Sequence, residues 1–255
     1  MSSPCRAIPG WNELKRILVM TAVLGTLMGA GARAAEKTTD YSLKIRGFSV
    51  GVVKLTSQSD ARNYAISAVI ENTGFSRIFR QFSYKGAANG SLDDGRLHPS
   101  RYQEVADTGR RSSEALIIYD KGVPRVVNYT SPKPAGPDAP APATQGGTVD
   151  PLTAIYGLLR DVPRDRACQL NVFIFDGKRR SRIAMYVDGS RDGLPSCAGR
   201  YERLEGFTPQ EVSRHKYFDF ALTYGSAGGD SGGDMLQVEN VSFNSFYGIA
   251  SIDRR

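Results

Sequence analysis

Histidine and cysteine, which provide many of the transition-metal ligands in proteins, are scarce in this chain. Its 255 residues include two histidines, His98 and His215, and three cysteines. Neither histidine lies at metal-ligand spacing from a cysteine, so the sequence predicts no metal site. We also expect no cofactor.

Long apolar runs are lacking too, with one exception near the amino terminus. Residues 17–31 read ILVMTAVLGTLMGAG, a run shorter than the roughly 20 residues that a membrane-spanning helix needs. Basic residues precede this run, and an Ala-Arg-Ala motif of the kind that a signal peptidase recognises follows it. We therefore predict a secretory signal peptide over residues 1–34, cleaved between Ala34 and Ala35. The alternative is an anchor that stays in the membrane.

The excess of positive charge is small once this leader is set aside. The whole chain has a formal net charge of +7, of which residues 1–34 contribute +3, so residues 35–255 keep +4. Such a charge is compatible with weak attraction to anionic lipid head groups, and it is too small to predict nucleic-acid binding. No other stretch could span a membrane, so we expect an exported, soluble domain.

Two cysteines remain after the leader is removed. Cys5 lies within the leader, whereas Cys168 and Cys197 form an even pair in a chain expected to enter an oxidising compartment. We predict that they form a disulfide. Closing a loop of about 30 residues would stabilise the fold by about 3–4 kcal/mol. Two buried free thiols are the alternative.

Apolar and polar residues alternate through much of the chain after residue 40, which is the period of a β-strand. Asp120-Lys121-Gly122 and Asp176-Gly177 separate such runs and predict hairpins. We predict a mainly β fold, an antiparallel sheet of about nine to eleven strands with one packed face and one solvated face. The clearest alternating runs cover residues 41–45, 63–71, 168–174, 183–187, 218–224 and 241–245.

One helix interrupts the alternation. Asp150 followed by Pro151 is typical of a helix N-cap with proline at the first helical position, and apolar residues recur at helical spacing as far as Arg160. A Pro/Ala/Gly-rich loop, residues 131–148, precedes this helix and has little to bury. We expect residues 35–255 to form a single β-rich domain that contains this loop.

Several segments resemble a periplasmic family known as domain of unknown function number 3108. They are YSLKIRGFSVGVVKL, DPLTAIYGLLR, CQLNVFIFDGKRR, CAGRYERLEGF and FYGIASI. The resemblance implies a periplasmic protein with a curved antiparallel sheet or half-barrel around a packed helix, similar to the periplasmic lipoprotein carriers. It carries no established catalytic residues, and a lipid-carrier role would be an analogy between folds.

Residues 229–233 read GDSGG, the nucleophile motif of chymotrypsin-like proteases, with Ser231 as the candidate nucleophile. That chemistry needs a histidine base, and only His98 and His215 are available. His215 lies too close in sequence to Ser231 for the residue order of that family. We interpret the segment as a glycine-rich loop between two strands, and we keep a serine hydrolase as an alternative function.

A cluster of four basic residues follows the predicted turn at Asp176-Gly177, and it could contact an anionic lipid or an acidic patch on a partner protein. Our main hypothesis is a non-enzymatic protein of the cell envelope that binds an apolar ligand or a partner protein on a concave sheet. A purely structural envelope component is a further alternative. The basic residues are Lys178, Arg179, Arg180 and Arg182.

Overall fold

A computed structural model describes residues 35–72, 82–107, 109, 112–131, 135–228, 234–245 and 248–255. The predicted signal peptide, including Ala34, lies outside these residues, and so does Ser231. In the part of the chain that is described, no helix is both long enough and apolar enough to cross a membrane.

Strands dominate the described residues, as the alternation predicts. They are β1 (Ala35–Ile45), β2 (Phe48–Ser59), β3 (Asn63–Asn72), β4 (Ser83–Asp93), β5 (Arg96–Asp107), β6 (Ser112–Asp120), β7 (Val123–Thr130), β8 (Val162–Pro163), β9 (Asn171–Phe175), β10 (Arg180–Arg191), β11 (Leu194–Glu205), β12 (Tyr217–Ser226), β13 (Met235–Ser245) and β14 (Gly248–Arg254). The predicted count of nine to eleven is therefore wrong, because the structure has fourteen. Strand β8 has only two residues, and β4 places small side chains where larger apolar ones would have marked the alternation.

The strands form one antiparallel sheet in the order β7-β6-β5-β4-β3-β2-β1-β14-β13-β12-β11-β10-β9, and β8 pairs with β13 beside this path. Each strand of the first half pairs with the strand next to it in sequence. Strands β1 and β14 pair in the middle of the sheet, with Tyr41 opposite Arg254. The two ends of the described chain are thus joined, and β7 and β9 form the edges.

Four of the hairpins turn through a non-glycine residue followed by glycine, both with positive φ. At Lys121-Gly122, the predicted hairpin between β6 and β7, φ is 50° and then 78°. Such values are typical of two-residue type I′ turns, in which glycine removes the cost of the left-handed conformation. The other three turns are Arg46-Gly47, Asp94-Gly95 and Asp192-Gly193.

Helix α1 (Pro151–Leu159) begins at the predicted N-cap, where the Asp150 carboxylate accepts a hydrogen bond from the backbone N–H of Thr153. It contacts β3, β4 and β5, which belong to one half of the sheet, and also β9 at the opposite edge. The sheet must therefore curve around the helix, which confirms the predicted curved sheet with a packed helix. Leu152 and Tyr156 are buried in the resulting core.

A second α-helix, α2 (Pro209–Arg214), lies between β11 and β12 and was not predicted, but none of its residues is buried, so α1 remains the one packed α-helix of the described residues. It begins with a capping box: the Thr208 side chain accepts from the backbone N–H of Glu211, and the Glu211 side chain accepts from the N–H of Thr208. These reciprocal bonds satisfy two N–H groups that a helix end otherwise leaves unpaired. The sequence Thr-Pro-Gln-Glu at residues 208–211 is typical of such a capping box.

The two edges of the sheet approach each other across the segment that precedes α1. The Tyr129 ring of β7 lies 5.2 Å from the Nζ atom of Lys178, which follows β9. Between the edges, the backbone N–H of Gly147 donates to the Gly122 carbonyl at 3.0 Å, and Val149 forms a parallel bridge with Ile174 of β9. The described part of the Pro/Ala-rich loop thus contacts the β6–β7 turn, and Val149, which directly follows the loop, contacts β9.

The predicted disulfide between Cys168 and Cys197 is present, with the two Cα atoms 5.5 Å apart. It joins the segment that precedes β9 to strand β11. Both cysteines are buried in the main core cluster together with Leu222, which lies opposite Cys197 in the sheet. The bond therefore holds the segment 164–170, which begins with a 3-10 helix (Arg164–Arg166), against the middle of the second half of the sheet.

Candidate binding cavity

An open cavity of about 910 Å³ lies at the carboxyl end of α1. One side is formed by the turns between β2 and β3 and between β4 and β5, at Ala61 and Gly95. The other side is formed by the segment from β8 to β9. The volume is within the range of about 300–1,000 Å³ that is usual for small-molecule sites.

The apolar wall of the cavity consists of residues from α1, the segment before β9 and strand β10. The backbone N–H of Met185 donates to the Leu170 carbonyl at 2.9 Å, which fixes these two lining residues relative to each other. A Cβ atom on Gly157 would lie 3.0 Å from a methyl group of Leu170 and 3.1 Å from one of Leu97. Glycine at this position therefore lets the helix approach the cavity wall closely.

Arg160 directly follows α1 and lines the cavity. Its Nη2 atom donates to the Gly95 carbonyl at 2.7 Å, and its Nε atom is buried without a hydrogen-bond partner in the described structure. Burial lowers the pKa of Arg160, and repulsion from Arg166 acts in the same direction, while Tyr156 and Tyr224 oppose it. The cavity thus contains a partly buried positive charge.

Two of the acidic residues that line the cavity are paired with other cations. Asp94 accepts from Nη2 of Arg166 at 2.8 Å, and the Arg166 guanidinium lowers the pKa of this carboxyl group. Asp161 forms an ion pair with Lys37 of β1. Neither acid forms an ion pair with Arg160, and no other described acid does.

The irregular wall of the cavity is held by the disulfide. Gln169 and Leu170 line the cavity and directly follow Cys168. The backbone N–H of Cys168 donates a hydrogen bond to the Tyr224 hydroxyl, with 3.3 Å between nitrogen and oxygen. The Gln169 side chain also donates to the Asp165 carbonyl at 2.6 Å. These bonds fix a segment that lacks regular secondary structure.

The sequence placed an apolar ligand on the concave sheet beside the helix of residues 150–160, and around the amino end of this helix the space is occupied by side chains. Leu152 is fully buried there, and Tyr156 stacks on Tyr64 of β3 with ring centroids 5.4 Å apart. Thr153 and Asp150 are fully buried as well, and they form a hydrogen-bonded network with the Tyr64 hydroxyl. The cavity lies at the opposite end of the helix.

The four predicted basic residues do not form one surface. Lys178 lies over the Tyr129 ring, and Arg179 forms an ion pair with Glu211 of α2 at 3.3 Å while lying over the Phe207 ring. These contacts support the junction of the sheet edges with α2.

The other two predicted residues lie on the outer face of the sheet edge, on either side of Phe173. The guanidinium carbons of Arg180 and Arg182 are 4.5 Å and 5.6 Å from the centroid of the Phe173 ring. Phe173 is 38% exposed. Arg180 and Arg182 donate to the side chains of Gln145 and Asn171, and neither forms an ion pair with a described acid.

The two histidines that a Ser231 hydrolase would need lie on different parts of the fold. His98 is an exposed residue of β5. His215 follows α2 and directly precedes the start of β12, a strand that runs about 30 Å to Ser226 at roughly 3.3 Å per residue. His215 is therefore remote from the strand end that leads toward the GDSGG segment, which is outside the described residues.

Within the described ranges, no cluster of three or more His, Cys, Asp or Glu side chains could hold a metal ion.

The sequence did not predict the cavity because its residues come together from distant positions. Arg160 and Arg166 each contact the Asp94-Gly95 turn across 65 and 72 residues of sequence. From the local sequence, both arginines are explained as cations near the carboxyl end of a helix, and this explanation does not predict a cavity.

Comparison with known proteins gives one family and one structural neighbour. The model of a family described as "Protein of unknown function (DUF3108)" matches residues 40–219. No curated protein matches the chain. A crystal structure described as a beta-barrel-like protein of domain of unknown function DUF1849, from Brucella abortus, is similar with 9% sequence identity and a TM-score of 0.41. The similarity covers 88% of this chain and 97% of that one.

Proposed function

The chain belongs to the DUF3108 family of proteins of unknown function, and we propose that it is a non-enzymatic periplasmic protein of the cell envelope that binds a ligand with an apolar portion. The binding site is the cavity at the carboxyl end of α1. The observation that carries this proposal is an open volume of about 910 Å³ in which Leu170 and Met185 lie beside seven charged or polar lining residues.

Two features support a binding role for this cavity. Its wall is cross-linked by the disulfide at Cys168, so a preformed site needs little ordering when a ligand binds. The concave face beside the amino end of α1 is already filled by buried side chains such as Leu152. A ligand that avoids displacing the core would therefore enter at the carboxyl end of the helix.

Native mass spectrometry of protein purified after export tests the proposal, together with titration of a lipophilic fluorescent dye. Ala61 lines the cavity from an exposed turn, so Ala61→Trp should reduce dye binding by filling the volume. Ala139→Trp is a matched control in an exposed turn that does not line the cavity. If neither a copurified ligand nor a dye site is found in the parent protein, the proposal fails.

Docking of a partner is a second candidate function, supported by the exposed Phe173 ring between Arg180 and Arg182. An apolar ring flanked by cations fits an anionic membrane surface, since the ring can enter the head-group region while the guanidinium groups contact phosphates. Vesicles that contain phosphatidylglycerol should bind the protein, and the double variant Arg180→Gln/Arg182→Gln should lose this binding. Equal binding to neutral vesicles would contradict this second candidate.

The serine-hydrolase alternative predicts an activated Ser231, and the purely structural alternative predicts a fixed protein partner without a small ligand. A fluorophosphonate probe distinguishes the first, because it labels an activated serine and leaves an ordinary loop serine unlabelled. Labelling that disappears in Ser231→Ala would replace the non-enzymatic proposal by a hydrolase. We expect no labelling.

A further inference from the structure

We infer that the cavity at the carboxyl end of α1 recognises the anionic head of its ligand, a carboxylate or a phosphate, through the guanidinium group of Arg160. The inference rests on the proposed function for the apolar portion of the ligand and adds a head group to it. The ligand class is therefore an amphiphile with one short acyl or alkyl chain and an anionic head.

The guanidinium group of Arg160 is incompletely hydrogen-bonded. A guanidinium group has five N–H donors, and in the described structure the one hydrogen bond of the Arg160 guanidinium is to the Gly95 carbonyl. A partly buried cation that lacks most of its acceptors loses hydration without replacement. An oxyanion in the cavity would supply acceptors in the planar geometry that arginine matches well.

The positive charge of Arg160 is not neutralised by an ion pair with a described acid. The nearby Asp94 and Asp161 are already paired with Arg166 and Lys37, so they do not neutralise it. Arg96 also lines the cavity and forms no ion pair with a described acid, but it is exposed, so water screens its charge. Asp165 contributes an opposing negative charge, but it is exposed at the rim, where water screens it.

The carboxyl end of α1 explains the presence of Arg160 only in part. The carbonyl end of a helix stabilises a nearby cation, which accounts for an arginine at this position. That role needs the charge near the helix, and an exposed side chain would fulfil it. Stabilisation of the helix end does not require Arg160 to line a cavity together with Leu170 and Met185.

The test compares four ligands on the full exported protein by isothermal titration calorimetry, each at a concentration at which it is dissolved as single molecules: dodecanoate, dodecyl phosphate, dodecanol and inorganic phosphate. Dodecanoate and dodecyl phosphate should bind at least about tenfold more tightly than dodecanol, because a charged hydrogen bond adds to the apolar contact. Arg160→Gln should remove this preference, so that the two anionic chains bind no more tightly than dodecanol does. Arg164→Gln is the matched control, since Arg164 is exposed, donates to the Gly193 carbonyl and does not line the cavity.

The outcomes separate the inference from the proposed function. If dodecanol binds as tightly as the two anionic chains, the anionic-head inference is overturned and the proposed function stands. If inorganic phosphate binds through Arg160 and no chain binds, the anion site stands and the proposed function falls. If none of the four binds, both fail.

A measurement on the unsubstituted protein covers the case in which Arg160→Gln does not fold. Raising the salt concentration should weaken binding of dodecanoate and dodecyl phosphate and leave dodecanol binding almost unchanged, because salt screens the charge on the head group. Equal salt dependence for the three chains would overturn the inference.

Discussion

The hydroxyl groups of Tyr64 and Thr153 lie 2.9 Å apart and join strand β3 to helix α1 across 89 residues of sequence. The Thr153 hydroxyl donates to Oδ2 of Asp150 at 2.7 Å, and its backbone N–H donates to Oδ1 at 2.8 Å. Since the single hydroxyl proton of Thr153 is used for Asp150, Tyr64 must be the donor in the first bond. The N-cap of the helix is thereby anchored to the sheet.

Removing the Tyr64 hydroxyl should weaken this anchor. We expect Tyr64→Phe to lower the free energy of unfolding by about 1 kcal/mol, the usual net value of one hydrogen bond. Urea unfolding followed by circular dichroism would measure it. Tyr186→Phe is the control, because Tyr186 is 64% exposed, and its midpoint should not change. Equal midpoints for Tyr64→Phe and the parent protein would contradict the anchoring role.

Burial of Asp150 gives the fold a characteristic pH dependence. Burial is the main reason that its pKa is raised from 3.8 to about 6, although hydrogen bonds from Thr153 oppose the change. The folded state therefore binds a proton between these pH values that the unfolded chain has released, so the free energy of unfolding rises as pH falls through 6. From pH 7.5 to pH 5 the contribution of Asp150 amounts to about 1 kcal/mol.

Asp150→Asn should flatten this dependence, which chemical unfolding at several pH values would measure. Asp176 and Glu104 have pKa values that burial raises in the same direction, so part of the slope should remain. Asp219→Asn is the control, because the Arg200 side chain lowers the pKa of Asp219 and its effect is confined to more acidic pH. An unchanged slope in Asp150→Asn would show that Asp150 is already ionised in the folded state at pH 5.

Local sequence was enough to predict the helix start and much of the sheet. Asp150 and Pro151 form an N-cap that depends on neighbouring residues alone, and Lys121-Gly122 forms a turn for the same reason. What local sequence does not contain is the position of Asp150 beneath β3, since the bond between Tyr64 and Thr153 depends on how far the sheet curves.

The cavity illustrates the same limit at the functional site. Arg160 and the Gly95 carbonyl come together because the β4–β5 turn faces the carboxyl end of α1. Alternating burial predicts which side of a strand is packed, but it does not predict which turns meet across a curved sheet. Helix α2 is a different case, because its Thr208 and Glu211 capping box was legible in the sequence.

Reduction of the disulfide should destabilise the fold substantially. Cys168 and Cys197 are 29 residues apart, and closing such a loop restricts the unfolded chain by about 3–4 kcal/mol. We expect the double variant Cys168→Ala/Cys197→Ala to lose stability of this order in urea unfolding. A reducing agent should lower the midpoint of the parent protein and leave the double variant unchanged. A parent protein that is insensitive to reduction would contradict the expected contribution.

The predicted signal-peptide cleavage defines the amino terminus that we expect of the mature protein. Cleavage between Ala34 and Ala35 would place Ala35, the first described residue of β1, at that terminus. Intact-mass measurement of the exported protein should therefore give a chain that starts at Ala35. Replacing Ala34 with a bulky residue, as in Ala34→Phe, should block processing at this bond. A retained leader in the parent protein would favour the membrane-anchor alternative.

Gly199 of β11 should tolerate no side chain, because the Phe220 ring of β12 covers it. The two residues are directly opposite each other in the sheet, and a Cβ atom on Gly199 would lie 2.2 Å from Cζ of the ring. Gly199→Ala should lower the free energy of unfolding by about 1–3 kcal/mol, the usual cost of overpacking. Gly228→Ala is the control, since its Cβ would have no neighbour within 4 Å among the residues that the structure describes.

The cause of this loss can be tested by removing the ring. If the steric conflict between residues 199 and 220 is responsible, Phe220→Leu should cost less stability in the Gly199→Ala background than in the parent protein, because the smaller side chain relieves the overlap. A double-mutant cycle from urea midpoints measures this coupling. Simple additivity of the two substitutions would mean that the ring moves aside freely, and the close contact across β11 and β12 would then contribute little to the rigidity of this half of the sheet.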